Sequence, residues 1–389
     1  MPELTSRDPI LALAEPPVRA DPYPAYARMR ETTPVFFYER LDSWMFTRYA
    51  DCVEVLRDTT RFAADWRRVG ERVPPRAINM LTLDPPEHTV VRRLFIEVLR
   101  AQDQAALTAT IAGHTAELLD RLARRPSFDV LTELAEPLAL STTAAYLGVP
   151  APDVAWTSRI GRAVGAAMDA GLWPDRAGPV REAQEELAVL VDGWLADPPD
   201  TGILGTLARR TAGCGVDPSV LANTVRGLLF SGYSSGSKLL AQILVALLHE
   251  RSFGLADWRA AEPGRAVEEL VRYCSPIHAV ARACLTDTTV GGTRVRAGQA
   301  VTLLLVAANR DPDRFAAPET VRLDRYPNPH LGLGRGPKSC LGNPYSTALV
   351  RAFLDRLADR YPGVRALDEP TWQQNLTLRS IDRFTTALA

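Results

Sequence analysis

Cys340 lies in the run Leu333-Gly334-Arg335-Gly336-Pro337-Lys338-Ser339-Cys340-Leu341-Gly342, and a helical pattern over 346–358 follows directly. Glycine lacks a Cβ and accepts positive φ, so such a loop lets its backbone lie close to a flat ligand. The helix start behind it presents unpaired N–H groups and positive potential, and both favour a thiolate over a thiol. A thiolate beneath a planar cofactor is one way in which proteins hold haem iron. The same residues also fit a small buried thiol in a tight turn.

Three further groups could carry chemistry. Asp84-Pro85-Pro86-Glu87-His88-Thr89-Val90-Val91-Arg92-Arg93 opens a helix, with proline and Glu placed as start signals. His88 and Arg92 are four residues apart and share a face, which suits an anionic group such as a carboxylate. An ordinary solvated basic face would look the same. Glu269 and Arg272 form an i,i+3 acid–base pair flanked by Val267, Leu270 and Val271, which fits a buried structural pair. Arg282 falls on a strand-like segment, and His330 falls just before the cysteine loop.

The elements that must position these residues are mostly helical. Helices are expected over 22–31, 49–57, 87–99, most of 102–148, and 261–273. The longest apolar helical pattern, 220–249, is expected to break at Ser231-Gly232-Tyr233-Ser234-Ser235-Gly236-Ser237. Alternation predicts a hairpin over 34–46 and strands over 284–305. The segments 59–80 and 309–330 read as irregular, and proline-rich breaks near Pro150, Pro174 and Pro198 leave 150–200 poorly patterned.

The 389 residues, 46% of them hydrophobic, are ample for a large core, and no linker or repeat divides them. A net charge of −1 gives no electrostatic basis for nucleic-acid binding. The only lysines are Lys238 and Lys338, and nearly every other cation is arginine. Five scattered cysteines without a CxxC pair argue against a disulfide framework or structural zinc and suit a reducing cytoplasm. No span of about 20 apolar residues is present, so neither secretion nor a membrane anchor is expected.

In order and spacing, five segments resemble the cytochrome P450 haem-thiolate monooxygenases of the soluble bacterial type. They are 84–93, the 231–237 run, 269–272, Ala307-Ala308-Asn309-Arg310-Asp311-Pro312, and 330–342. The resemblance implies a mainly α fold with a minor β region, as one domain over 21–389 behind an N-terminal extension over 1–20. It implies that Cys340 is the axial thiolate on the iron of haem b. His88, Arg92, Arg282 and His330 would pair with the haem propionates. Glu269 and Arg272, with Arg325 as a further member, would brace the loop from behind. The long helix would cross the oxygen-binding face.

The departures from the family pattern lie close to those sites. Leu333 stands where an aromatic is usual, and Lys338 stands where histidine is frequent. On the long helix, Ser234 and Ser235 occupy the places of the usual acid and threonine, which together relay protons. A serine passes a proton but does not supply one as a carboxyl does. A substrate hydroxyl, ordered water or His278 would then supply it, although His278 also fits a structural role. The implied activity is oxidation of a hydrophobic small molecule, by hydroxylation or epoxidation, in bacterial natural-product biosynthesis. Electrons would come from ferredoxin and ferredoxin reductase. Substrate contacts are expected within 69–81, 150–200, 277–280 and 380–381. Oxidation without oxygen insertion, or a non-catalytic haem protein serving a partner enzyme, are the rival readings.

Overall fold

Val35–Tyr38 and Ser43–Phe46 form the expected hairpin, with Val35 opposite Phe46 and Tyr38 opposite Ser43. The hairpin does not stand alone, since two strands are marginal in water. Ser43–Phe46 adds in parallel to Ala300–Leu304, which pairs antiparallel with Ala279–Cys284, and Phe62–Ala63 closes the edge. These contacts come from a computed structural model that describes residues 8–211 and 214–388. The strand expected to begin at 284 begins at Ala279 and carries Arg282 opposite Val301.

Helices form most of the rest. Tyr23–Thr32, Tyr49–Arg57, Glu87–Arg100 and Pro263–Tyr273 fall within two residues of their expected bounds. The 102–148 pattern divides into Gln104–Leu122 and Glu136–Leu147, separated by a short strand and a wide helical turn. The helix Asn343–Arg360 follows the cysteine loop. Phe95, Leu119, Leu140, Leu240 and Phe353, each from a different helix, are fully buried in one cluster. A second cluster under the sheet joins Phe46, Phe62 and Val301 to Leu331, at the start of the cysteine loop.

Two expectations are corrected. The long helix runs unbroken over Pro218–Leu248. Ser235 Oγ donates to the Ser231 carbonyl and Ser237 Oγ to the Ser234 carbonyl at 3.1 Å, so the serines satisfy the helix they were expected to break. Gly232 packs so closely that a Cβ would lie 2.8 Å from the Thr143 side chain, and tertiary burial offsets the low propensity. The poorly patterned 150–200 region holds two helices, Val154–Ala167 and Gly178–Ala196.

Residues of the segment read as an extension also pack. Pro9–Ala12 and Pro16–Ala20 are short helices, and Ile10 and Leu13 are buried with Tyr26, Met29 and Met45. Residues 1–7 of that segment lie outside the described residues. Among the described residues no helix is long and apolar enough to cross a membrane.

Candidate active site

The loop before Asn343–Arg360 is held by its backbone. Cys340 N donates to the Leu333 carbonyl at 2.8 Å, and Gly342 N donates to Cys340 Sγ at 3.3 Å. Gly336 is at φ +77°, and a Cβ there would lie 2.8 Å from the Leu56 carbonyl, so only glycine fits. Cys340 is exposed, whereas Cys52, Cys274 and Cys284 are buried. Protein nevertheless surrounds the sulfur closely enough that burial pushes the thiol up, against the lowering effects of the Gly342 amide and the Arg92 charge. The sulfur is thus backed by protein on one side and open on the other, with a recess in front of it.

Cationic groups converge beside that sulfur. Arg92 Nη2 donates to the Ser339 carbonyl at 2.8 Å and reaches Ser339 Oγ at 3.3 Å. His88, one turn earlier, is buried; burial, then the Lys338 and Arg92 charges, hold it down to about 4. Arg282 donates only to its neighbour, the Ala281 carbonyl, at 2.7 Å. Lys338 Nζ bonds the Leu83 carbonyl and lies 3.5 Å from Asp84 Oδ1. Asp84 is the carboxylate felt by His88, Arg282 and Lys338 alike. Arg92 and Arg282 have no carboxylate partner among the described residues, so positive charge in this recess exceeds negative.

His330 does not join this group. Its Nε2 bonds Glu268 Oε2, on the helix Pro263–Tyr273, at 2.9 Å and its Nδ1 accepts from Gly332 N at 3.2 Å, so both ring nitrogens are engaged. The acid–base pair behind the loop is fully buried. Arg272 Nε and Nη2 bind Glu269 Oε2 and Oε1 at 2.8 and 2.9 Å, and Arg325 Nε binds Oε2 at 2.9 Å. Arg322 N and Asn328 Nδ2 complete the carboxylate's shell. Arg272 also holds the Asn309 and Pro318 carbonyls, which ties the pair to the segment leading into the loop.

On the long helix, Gly227, Leu228, Ser231 and Ser235 are partly open on one side, while Ser234 and most later residues are buried. A Cβ on Gly227 would meet nothing within 4 Å, so that stripe borders open space. Ser235 belongs to the stripe. Ser234 turns away from it and accepts a hydrogen bond from Lys238 Nζ at 2.8 Å. His278 sits elsewhere, its Nδ1 3.5 Å from Tyr26 Oη. Burial, then the Arg379 and Arg310 charges, hold it well below the ordinary histidine range, which disfavours the doubly protonated ring. Among the described residues it shares no hydrogen-bond partner with Ser234 or Ser235.

The family model for Cytochrome P450 matches residues 265–361, which span the Glu269–Arg272 pair and the cysteine loop. Nocardicin C N-oxygenase of Nocardia uniformis subsp. tsuyamanensis is 32% identical over 383 residues, covering 94% of this chain and 95% of that protein. The chain belongs to the cytochrome P450 family. Mycinamicin IV hydroxylase/epoxidase of Micromonospora griseorubida is 30% identical over 375 residues, covering 91% and 92%. The ligand-free crystal structure of Mycobacterium smegmatis CYP164A2 superposes with a TM-score of 0.85 at 29% identity, over 98% of this chain and 100% of that one. The fold is therefore the P450 fold, and the protein is a P450 monooxygenase, an oxidoreductase.

Membership implies a haem-thiolate iron cofactor, and the residues present fit one. An open sulfur in an enclosed recess suits an axial ligand. The unpaired cations beside it suit the two carboxylates of a haem. Lys338, noted in the sequence only as a departure, also lies in this cluster but is paired with Asp84. Sequence reasoning missed Lys238 one turn from Ser234, where the i,i+4 spacing was a usable signal. Arg92 links the donor cluster to the loop, so Arg92→Ala is expected to lower the haem content of the purified protein. Loss of its charge-assisted bond is expected to cost about 1.5–3 kcal/mol of stability. Unchanged haem content and an unchanged denaturation midpoint would return Arg92 to an ordinary basic face.

Proposed function

We propose that Cys340 holds the iron of haem b and that the enzyme oxidises a hydrophobic small molecule in bacterial natural-product biosynthesis, with electrons from a ferredoxin and its reductase. The observation that carries this reading is the Cys340 sulfur, open within a recess beside His88, Arg92, Arg282 and Lys338. Relatives support the substrate class: among them are an epothilone C/D epoxidase of Sorangium cellulosum and the mycinamicin IV hydroxylase/epoxidase.

Bound haem would supply oxygen activation and insertion into the substrate. The chain's own residues orient and shield. Arg92 and Arg282 would neutralise the haem carboxylates, and Arg92 fixes the Ser339 carbonyl next to the ligand. The Gly342 amide bonds the sulfur, and such bonds tune a ligand's donor strength. Ser235 presents a hydroxyl on the open stripe of the long helix. The 69–81 loop covers that side. It is tied to the long helix by Asn223 Nδ2, which donates to the Pro75 and Ile78 carbonyls at 2.9 and 2.8 Å, and by Met80 N, which donates to Thr224 Oγ1 at 3.1 Å. Exposed Leu81 offers an apolar contact at its end.

The test is a titration of the ferric holoenzyme with the compounds in the relatives' names, followed by turnover with ferredoxin and reductase. At least one macrolide or peptide-like compound is expected to shift the haem toward high spin and to yield a product heavier by one oxygen. A bound compound that is consumed with no gain of oxygen would transfer the assignment to oxidation without insertion.

A further inference from the structure

Lys338 stands two residues before Cys340, yet its partners lie on another segment. Its Nζ bonds the Leu83 carbonyl, reaches the Leu81 carbonyl at 3.3 Å and lies 3.5 Å from Asp84 Oδ1. An ammonium has three N–H groups to give, and two carbonyls and a carboxylate surround this one. Among the described residues no other donor bonds either carbonyl, and Asp84 Oδ1 has no hydrogen-bond partner. The two side chains are 10% and 1% exposed, so theirs is not an ordinary surface ion pair. The base of the lysine is fixed as well: Gly336–Lys338 is a tight helical turn, and Gly336 packs against the backbone of Leu56 and Arg57.

Asp84 also closes a loop. Its Oδ2 accepts from Asp65 N at 2.9 Å, so one carboxylate ties together the two ends of the 66–83 segment. The crown of that segment hangs on the long helix, where Asn223 holds the Pro75 and Ile78 carbonyls and Thr224 holds Met80 N. Bonds within the segment stiffen the stretch between the two anchors. Asn79 Oδ1 accepts from Leu81 N at 2.8 Å, and Thr82 Oγ1 donates to the Ala77 carbonyl at 2.9 Å. The loop therefore bridges two walls of the recess. Its crown sits on the helix with the open stripe, and its neck sits on the cysteine loop through Lys338.

We propose that Lys338 is a positioning residue that clamps the neck of the 66–83 loop to the cysteine loop, holding that loop shut across the recess, and that it does not serve a haem carboxylate. The inference rests on the reading of the 69–81 loop as the cover of the substrate side. The clamp acts on the loop and leaves the iron's ligation to Cys340. A ligand that fills the recess is retained by the closed loop, whereas one small enough to pass beneath it is not. Lys338 thus governs how long a bulky molecule stays, and Arg92 and Arg282 are left to hold the haem.

The test uses ferric holoenzyme and two compounds that ligate haem iron, bulky clotrimazole and imidazole itself. Lys338→Met is expected to keep the wild-type haem content. Hydrogen exchange of the 79–83 amides, read by mass spectrometry, is expected to quicken about tenfold or more. Clotrimazole is expected to dissociate about tenfold faster, while imidazole keeps its affinity within about twofold. A merely structural loss would not divide the two compounds in this way. Methionine leaves the Asp84 charge buried without its ammonium. Should K338M fail to fold, the double variant Lys338→Met with Asp84→Asn removes both charges, keeps an oxygen for Asp65 N and is read the same way. Loss of haem from a folded variant, as expected for Arg92→Ala, would make Lys338 a carboxylate donor and overturn the proposal. Wild-type exchange over 79–83 would overturn it equally. Faster exchange with unchanged clotrimazole release would instead overturn the placement of this loop over the substrate side, the reading beneath the proposal.

Discussion

Ferrous Cys340→Ala protein with carbon monoxide is expected to show no red-shifted Soret band of thiolate ligation, whatever haem it retains. The effect is total because no other sulfur can substitute. Cys52, Cys274 and Cys284 are buried and their thiols are pushed up by that burial. None of them lies in a loop at a helix start, and Cys214 lines a different cavity, with Val90, Arg93 and Leu94. The matching control is Cys274→Ala, which leaves the recess untouched and is expected to keep the band. A C340A variant that retains the band would remove Cys340 as the ligand and, with it, the main support for the proposed site.

The second large effect concerns stability. Glu269→Gln is expected to cost about 3–5 kcal/mol, because it leaves the Arg272 and Arg325 guanidiniums buried against a neutral amide. Both arginines also hold backbone carbonyls between Asn309 and Thr320, so the damage is expected to spread to the loop that ends at Cys340. Chemical denaturation of the holoenzyme, read beside its haem content, checks both parts. A loss under about 1 kcal/mol would place the pair among ordinary surface ion pairs.

Local chemistry made the loop and the helix carrying His88 and Arg92 legible. Glycines at positive φ, a proline-led helix start and an i,i+4 donor pair each declare themselves within a few residues. Tertiary partners did not. His330 is adjacent to the cysteine loop in sequence, yet its ring is taken by Glu268, far earlier in the chain. His278 follows the strand's neighbour pattern but faces Tyr26, Arg310 and Arg379. The 231–237 run looked like a break because Ser and Gly are poor helix formers, and only packing against Thr143 and Tyr345 keeps it helical. The helix Val154–Ala167 had a readable start, since Asp153 Oδ1 caps it by accepting from Trp156 N at 2.7 Å. Gly178–Ala196 buries Ala183, Leu187 and Val191 at a spacing of four, a stripe too narrow to stand out among its charged neighbours.

The scarcity of lysine has a practical side. Both side-chain amines of this enzyme are enclosed, Lys238 behind Ser234 and Lys338 beside Asp84, so its outer surface carries positive charge as guanidinium. Reagents that acylate amines would find almost nothing to modify on the closed protein. The rate at which either lysine becomes acylated would therefore clock the opening of its own pocket.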